Sequence, residues 1–202
     1  MRTESSSASR TPWSAFAAAA IAIFCLASPA GAWSAAEEGA VSIHATSGYG
    51  GSVPAVQVDS AGNIYACGHF RTGNKSYDVD PNPAVTVNVS VTGLDSSVIS
   101  KYSPSGNLLW YLVLNADQDD MPLDCALSSG GDYLAVAGKF GGTMSFPGAP
   151  AITAVAGYDA YVALISTSTS TTSTTAPDGV VWGKTLGGTG TDEATGVRSE
   201  EH

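Results

Sequence analysis

The chain is poor in basic side chains: eight lysines and arginines stand against 18 aspartates and glutamates in 202 residues, a formal net charge of −10. Nucleic acid is bound by clustered lysine and arginine that displace counterions, so this deficit argues against nucleic acid as a partner. Histidine is as scarce, at His44, His69 and His202 alone. There is no HExxH, no GxSxG, no pair of cysteines with histidines at zinc spacing and no phosphate loop, so the expectation is no catalytic residue, no metal ligand and no cofactor. Long apolar runs are missing too. A bilayer core of about 30 Å needs about 20 apolar residues, and the longest run, AFAAAAIAIFCLA from Ala15 to Ala27, is too short to span it.

That short run has a different reading. It follows Arg2 and Arg10 and precedes Ala30-Gly31-Ala32, just ahead of Trp33. A basic start, a brief apolar stretch and a small-x-small end form a secretory signal peptide, here residues 1–32. Cys25 lies inside the run without the small residues that a lipoprotein signal places before its cysteine, so no lipid anchor is read. The mature chain is expected to be secreted or at the extracellular surface, without a membrane span. Without Arg2, Arg10 and Glu4 it carries 6 basic and 17 acidic side chains, a net charge of about −11.

Cysteine is nearly absent from the mature part, with only Cys67 and Cys125. An oxidising compartment permits these two to pair. Each reads equally well as a small apolar core residue.

What the sequence does contain is a repeat of about 70 residues. Gly68 and Phe70 recur as Gly138 and Phe140, Pro54 as Pro122, and Trp110 as Trp182. Within the first copy, VPAVQV (53–58), NIYACGHF (63–70), SSVISKY (96–102) and LLWYLVL (108–114) are short, rich in β-branched and aromatic residues, and bounded by turn signals. They read as four antiparallel strands. DCALS, YLAVAGKF, AYVALIS and VVWGKTL follow in the same order in the second copy. DSAGN (59–63) and SSGGD (128–132) are the first reversals of the two copies, where Gly62 and Gly130 are expected at or beside positive φ. In the repeat alignment Cys67 falls on Ala137 and Cys125 on Gln57, which counts against a bridge as part of the pattern. Trp110 and Trp182 fall on the same place in both copies, and both are expected to be buried structural residues.

A repeated unit of this kind cannot bury its apolar faces alone and must stack on its neighbours. Four antiparallel strands per repeat make the blade of a β-propeller. The strings YDVDPNP (77–83), GLDSSVISKYSPSGNLLW (93–110) and VPAVQVDSAGNIYACGHF (53–70), with the LGG loop Leu186-Gly187-Gly188-Thr189-Gly190-Thr191-Asp192, resemble the bacterial SBBP-type β-propeller repeat. The matching stretch in the middle, LNADQDD (114–120), keeps the acidic end and loses the glycines. The resemblance covers nearly all of residues 41–198. It implies an all-β partial β-propeller over 33–202: blade 1 at about 53–114, blade 2 at about 121–186, the start of blade 3 at 193–202, and a strand VSIHAT (41–46) left from an earlier blade. Two such blades do not close a ring, so the chain is expected to be a fragment of a longer propeller, or to self-associate through its open blade faces.

Other stretches are candidates for chemistry or modification. STSTSTTSTTAPD (166–178) buries nothing apolar and is expected to be a disordered insert. The sequons at Asn74 and Asn88 would carry glycan only in a eukaryotic source. Asp78-Val79-Asp80-Pro81-Asn82 spaces oxygens as a calcium loop does, but it lacks an EF-hand's glycine and distant Glu, and a proline turn with exposed acids is the preferred reading. Asp119-Asp120 and Asp192-Glu193 lie in matching inter-blade loops, able to bind a cation or cap a strand; solvated charge is the reading preferred there. The expected function is a non-enzymatic interaction module for a protein or glycan ligand; the alternative is a truncated secreted propeller hydrolase or lyase acting on carbohydrate.

Overall fold

A computed structural model describes residues 44–45, 51–71, 76–82, 84–90, 95–168 and 179–200. All belong to one compact body, 34–202; the expected signal peptide lies outside the described residues. The fold is all-β. Among the described residues eleven strands are found: β1 (His44–Ala45), β2 (Gly51–Val58), β3 (Ile64–Arg71), β4 (Ser76–Asp78), β5 (Asn88–Ser90), β6 (Asp95–Tyr102), β7 (Leu108–Ala116), β8 (Asp120–Leu127), β9 (Tyr133–Phe146), β10 (Ala149–Ser166) and β11 (Val180–Leu186). Among the described residues no helix is long and apolar enough to cross a membrane.

Strands pair in chain order within each repeat, β2-β3-β6-β7 and then β8-β9-β10-β11, every neighbour antiparallel. The two tight reversals are built as their sequences require. Asp59 Oδ1 accepts the N–H of Ala61 and of Asn63, and Gly62 has φ +82°; in the second repeat the left-handed residue is Gly131, at +73°, next to the expected Gly130.

Strand register refines the repeat alignment. Val56 pairs with Ala66, and Cys125 pairs with Val136, one repeat further on. Cys125 therefore stands where the first repeat has Val56, one place from the Gln57 inferred from the sequence. Both first strands carry an irregularity beside the proline, at Ser52/Ala55 and at Pro122/Asp124, because proline cannot donate to the ladder.

The segment between the second and third strands is more ordered than its Pro and Gly suggest. In the second repeat it is a hairpin continuous with β9 and β10, turning at Pro147-Gly148, with Met144 and Phe146 buried. Its tip reaches back to the first repeat, pairing Ser145 with Asn115 and Met144 with Ala116. The first repeat has the same device: β4 and β5 form the hairpin, and Asp78 and Tyr77 pair with His44 and Ala45 of β1. Tyr77 corresponds to Met144, and β1 holds the place against β4 that the end of β7 holds against β9.

Alternation then distributes the side chains. Tyr65, Cys67, Ile99, Trp110, Leu112 and Leu114 project from one face of the first repeat and join Cys125, Leu134, Val136, Phe140, Tyr161, Ala163 and Ile165 of the second in one buried core. Tyr65 meets Trp110 edge-on, as Phe140 meets Tyr161. A smaller cluster, Phe70, Tyr77, Val79, Val89 and Val98, covers the opposite face of the first repeat, with Phe70 stacked on Tyr77. Covered on both sides, β6 is buried along its whole length.

The Ser/Thr-rich tract is a correction at its start. Ser166 is the last residue of β10, and Thr167 is buried, its N–H bonded to Asp132 O and its hydroxyl to Gly131 O. Backbone and hydroxyl partners anchor these residues despite their polarity; 169–178 lie outside the described residues.

The two tryptophans also part company. Each occupies the same register position, Trp110 opposite Lys101 and Trp182 opposite Leu164, yet Trp110 is fully buried and Trp182 is 38% exposed. Position repeats but burial does not, since only Trp110 has a repeat packed over it. Trp110→Ala should cost about 3–5 kcal/mol in chemical denaturation, and Trp182→Ala in dilute solution only about 1 kcal/mol. Equal losses for the two would contradict this assignment.

Candidate functional site

The seam between the repeats gathers most of the residues with chemistry. Cys67 on β3 and Cys125 on β8 are joined in a disulfide, with Cα atoms 6.6 Å apart and 58 residues apart in sequence. Neither cysteine recurs in the other repeat because the bridge belongs to the seam: one sulfur comes from each side, and pattern matching within a repeat could not see it.

At one end of the seam the acids of the inter-repeat loop turn inward, against the expectation of solvated charge. Asp120 is fully buried and accepts the N–H of Ser97 at 2.6 Å and of Ala116 at 3.0 Å. Burial pushes its carboxyl up to about 7, outweighing the hydrogen bonds that favour the ionised form. Asp119 receives the Asp95 N–H at 3.2 Å and the Tyr158 hydroxyl at 3.1 Å. This is the strand-capping alternative, and it recurs: Asp192 accepts the Gly188 N–H, four residues back, as Asp120 accepts that of Ala116. The LGG glycine has a steric reason, because a Cβ on Gly187 would fall on the buried Asp159 carboxylate.

Beside Asp119 lies a cavity of about 330 Å³ lined by Gly51, Ser52, His69, Arg71, Asp95 and Met121. Asp95 is almost fully buried, and its Oδ1 has no hydrogen-bond partner. Burial raises its pKa above the ordinary carboxylate value, and burial likewise lowers that of His69. His69 Nδ1 stands 3.3 Å from the Ser52 hydroxyl. That is a nucleophile beside a base, but the unpartnered Oδ1 of Asp95 leaves the imidazole without the carboxylate bond that would orient it. Sequence reading missed this group, since serine, histidine and aspartate come from β2, β3 and β6 with no common motif. In the second repeat Lys139 holds the place of His69, and its ammonium pairs with Glu193 at 2.7 Å.

Asp78-Val79-Asp80-Pro81-Asn82 spends its oxygens on its own backbone. Asp78 Oδ1 accepts from the N–H of Asp80 and Val87, Asp80 Oδ1 from Asn82, and Asn82 Oδ1 from Ala84. Those bonds build a turn. Among the described residues no group of three or more His, Cys, Asp or Glu is placed to hold a metal ion. Asn88 is exposed at the start of β5, accessible to modification; Asn74 lies outside the described residues.

The Trp110 face of the seam has a more exposed counterpart on the second repeat. Trp182, Lys184 and Leu186 of β11, with Leu164 and Val162 of β10, occupy the places that Trp110, Leu112, Leu114, Lys101 and Ile99 hold in the first repeat. Leu114 and Ile99 are fully buried, whereas Leu186 is 61% exposed. The segment after β11 runs alongside: Ala194 N donates to Gly138 O, and Val197 N to Asp124 Oδ2.

No protein-family model matches the chain, and no curated protein matches it either.

Two outcomes follow from the seam. Replacing both Cys67 and Cys125 by Ala should lower unfolding free energy by about 2–4 kcal/mol, because a bridge over a long loop restricts the unfolded chain; an unchanged denaturation midpoint would contradict a bridge. Asp120 sets a pH dependence. A carboxyl raised from 3.8 to about 7 binds its proton more tightly in the folded state, so its contribution is fully present below about pH 4 and is lost as pH rises to about 7. Asp120→Asn should flatten that descending slope in denaturation followed between pH 4 and 7.

Proposed function

We propose that the chain is a stretch of an SBBP-like β-propeller, exported by its N-terminal segment, whose four-stranded repeats are blades, and that it works outside the cell as a non-enzymatic interaction module for a protein or glycan ligand. The observation that carries this reading is the hairpin between second and third strands reaching back to a strand that precedes its repeat, once from β9 to β7 and once from β4 to β1. Repeats linked by one recurring handshake stack in a constant direction, which is how propellers and other repeat proteins build large surfaces from small units. On this reading β1 is the remnant of an earlier blade and 193–200 the first strand of a later one. The acidic, lysine-poor surface suits a protein or carbohydrate better than a polyanion.

The alternative, a hydrolase or lyase acting on carbohydrate, draws on the Ser52–His69 contact beside the buried Asp95. Incubation of the purified chain with a panel of polysaccharides separates the two. Retention on a polysaccharide without release of reducing or unsaturated ends is expected. Release that disappears in Ser52→Ala and in His69→Ala would overturn the non-enzymatic reading.

A further inference from the structure

Resting on the interaction-module reading, we infer that the cavity between Ser52, His69, Arg71, Asp95 and Met121 is the ligand subsite of that module, and that it takes one neutral sugar ring of a glycan. Two groups of opposite sign define it. Asp95 is 3% exposed and lines the cavity, yet its Oδ1 accepts no hydrogen bond. A buried oxygen of this kind is costly unless something donates to it. Directly across the ladder of β3 and β6, Arg71 lines the same cavity with an exposed side chain. Among the described residues its guanidinium enters no ion pair. Ser52 and His69, 3.3 Å apart, add two groups that can each donate or accept.

The second repeat shows that such a place is not built by the repeat as a rule. Asp120 and Asp192 make equivalent capping bonds, so Met121 corresponds to Glu193, as His69 does to Lys139. In the second repeat these two positions hold an ion pair at 2.7 Å. In the first they hold an imidazole and a thioether, Arg71 stands where the other copy has Gly141, and a cavity of about 330 Å³ lies beside them.

Charge selects the class of ligand. An anion such as a uronate gains from Arg71 but meets Asp95 and, next to it, Asp119, whose charges repel each other already. A cation meets Arg71, and an ammonium has three N–H groups to satisfy where Asp95 offers one unpartnered oxygen. A neutral hydroxyl answers both groups, because it donates to Asp95 Oδ1 while accepting from the Arg71 guanidinium. Neighbouring hydroxyls of the same ring meet Ser52 and His69, and Met121 contacts the ring C–H groups. The volume lies at the small end of ligand sites, about 300–1,000 Å³, which suits one ring with the rest of the glycan outside. In this role Ser52 and His69 hold the ligand and cleave nothing.

Saturation-transfer difference NMR on the chain after export tests the inference. The probes are the methyl glycosides of glucose, galactose, mannose and N-acetylglucosamine, with glucuronate and alanine as charged counterparts. At least one neutral glycoside should bind, with a dissociation constant on the order of 1 mM, and neither charged probe should. Arg71→Ala and Asp95→Asn should each weaken binding about tenfold or more. The double variant His69→Lys with Met121→Glu gives the first repeat the ion pair of the second, and it should lose the signal with far-ultraviolet circular dichroism unchanged. Arg71→Ala changes an exposed side chain, so it and the double variant decide the matter should Asp95→Asn fail to fold. Binding that survives both, a preference for glucuronate or alanine, or no bound glycoside would overturn the inference. Retention on a polysaccharide separates the two readings. If the unaltered chain and these variants are retained equally, the module reading stands and the subsite falls; if nothing is retained and no glycoside binds, the subsite and the glycan ligand fall together.

Discussion

Everything in this molecule depends on one constraint: a four-stranded sheet with apolar side chains on both faces cannot be satisfied by its own residues. The first repeat resolves it by presenting Tyr65, Ile99, Trp110 and Leu114 to the second repeat, which answers with Leu134, Val136, Phe140 and Tyr161. Burial of a large apolar side chain is worth about 1.5–3 kcal/mol, so the seam accounts for much of the order around it. The back-reaching hairpin follows from the same need. Met144 and Phe146 close the side of the seam that the strands alone would leave open, and the edge pairing with β7 holds them there.

Polar groups enter this seam only where the backbone requires them. Asp120 satisfies two N–H groups at a junction where the strands diverge, and the cost of burying its charge appears as its raised pKa. Lys101 is treated similarly: almost fully buried, it lies over the Tyr65 ring and 3.8 Å from Asp59, with its ammonium within reach of Thr167 O. Burial lowers its pKa, and Asp59 opposes that shift. Asp59 thereby joins the turn, the tyrosine and the lysine into one network, since it also accepts from Asn63 and Tyr65. Asp95 has no such partner on Oδ1, which makes the cavity beside it different in kind from the rest of the seam.

Much of the fold was legible in the chain. Eight strands and their order came from alternation and turn residues, and they stand in the structure, with β9 and β10 running well beyond the 133–140 and 160–166 read for them. What misled was local composition. Pro147 and Gly148 look like a loop, yet they are the two-residue turn of a long hairpin, because Met144 and Phe146 two apart point one way into the core. Asp119 and Asp120 look like surface charge, yet the loop folds them inward to reach N–H groups of β6. The Ser52, His69 and Asp95 group carries no linear signal, since its members are spread over more than 40 positions and meet only through pairing of β2, β3 and β6.

By itself, then, the sequence determined the strand pattern, the acidic character and the repeat, because alternation, turn chemistry and charge are properties of neighbouring residues. The tertiary structure decided which equivalent residues are alike in fact. Trp110 and Trp182 share a motif, a register and a face, and differ in exposure only because one repeat packs on another. The pairing of Cys67 with Cys125 was decided in the same way. Burial and bridging are relations between segments far apart in the chain, and a repeat carries its own pattern but not the identity of its neighbour.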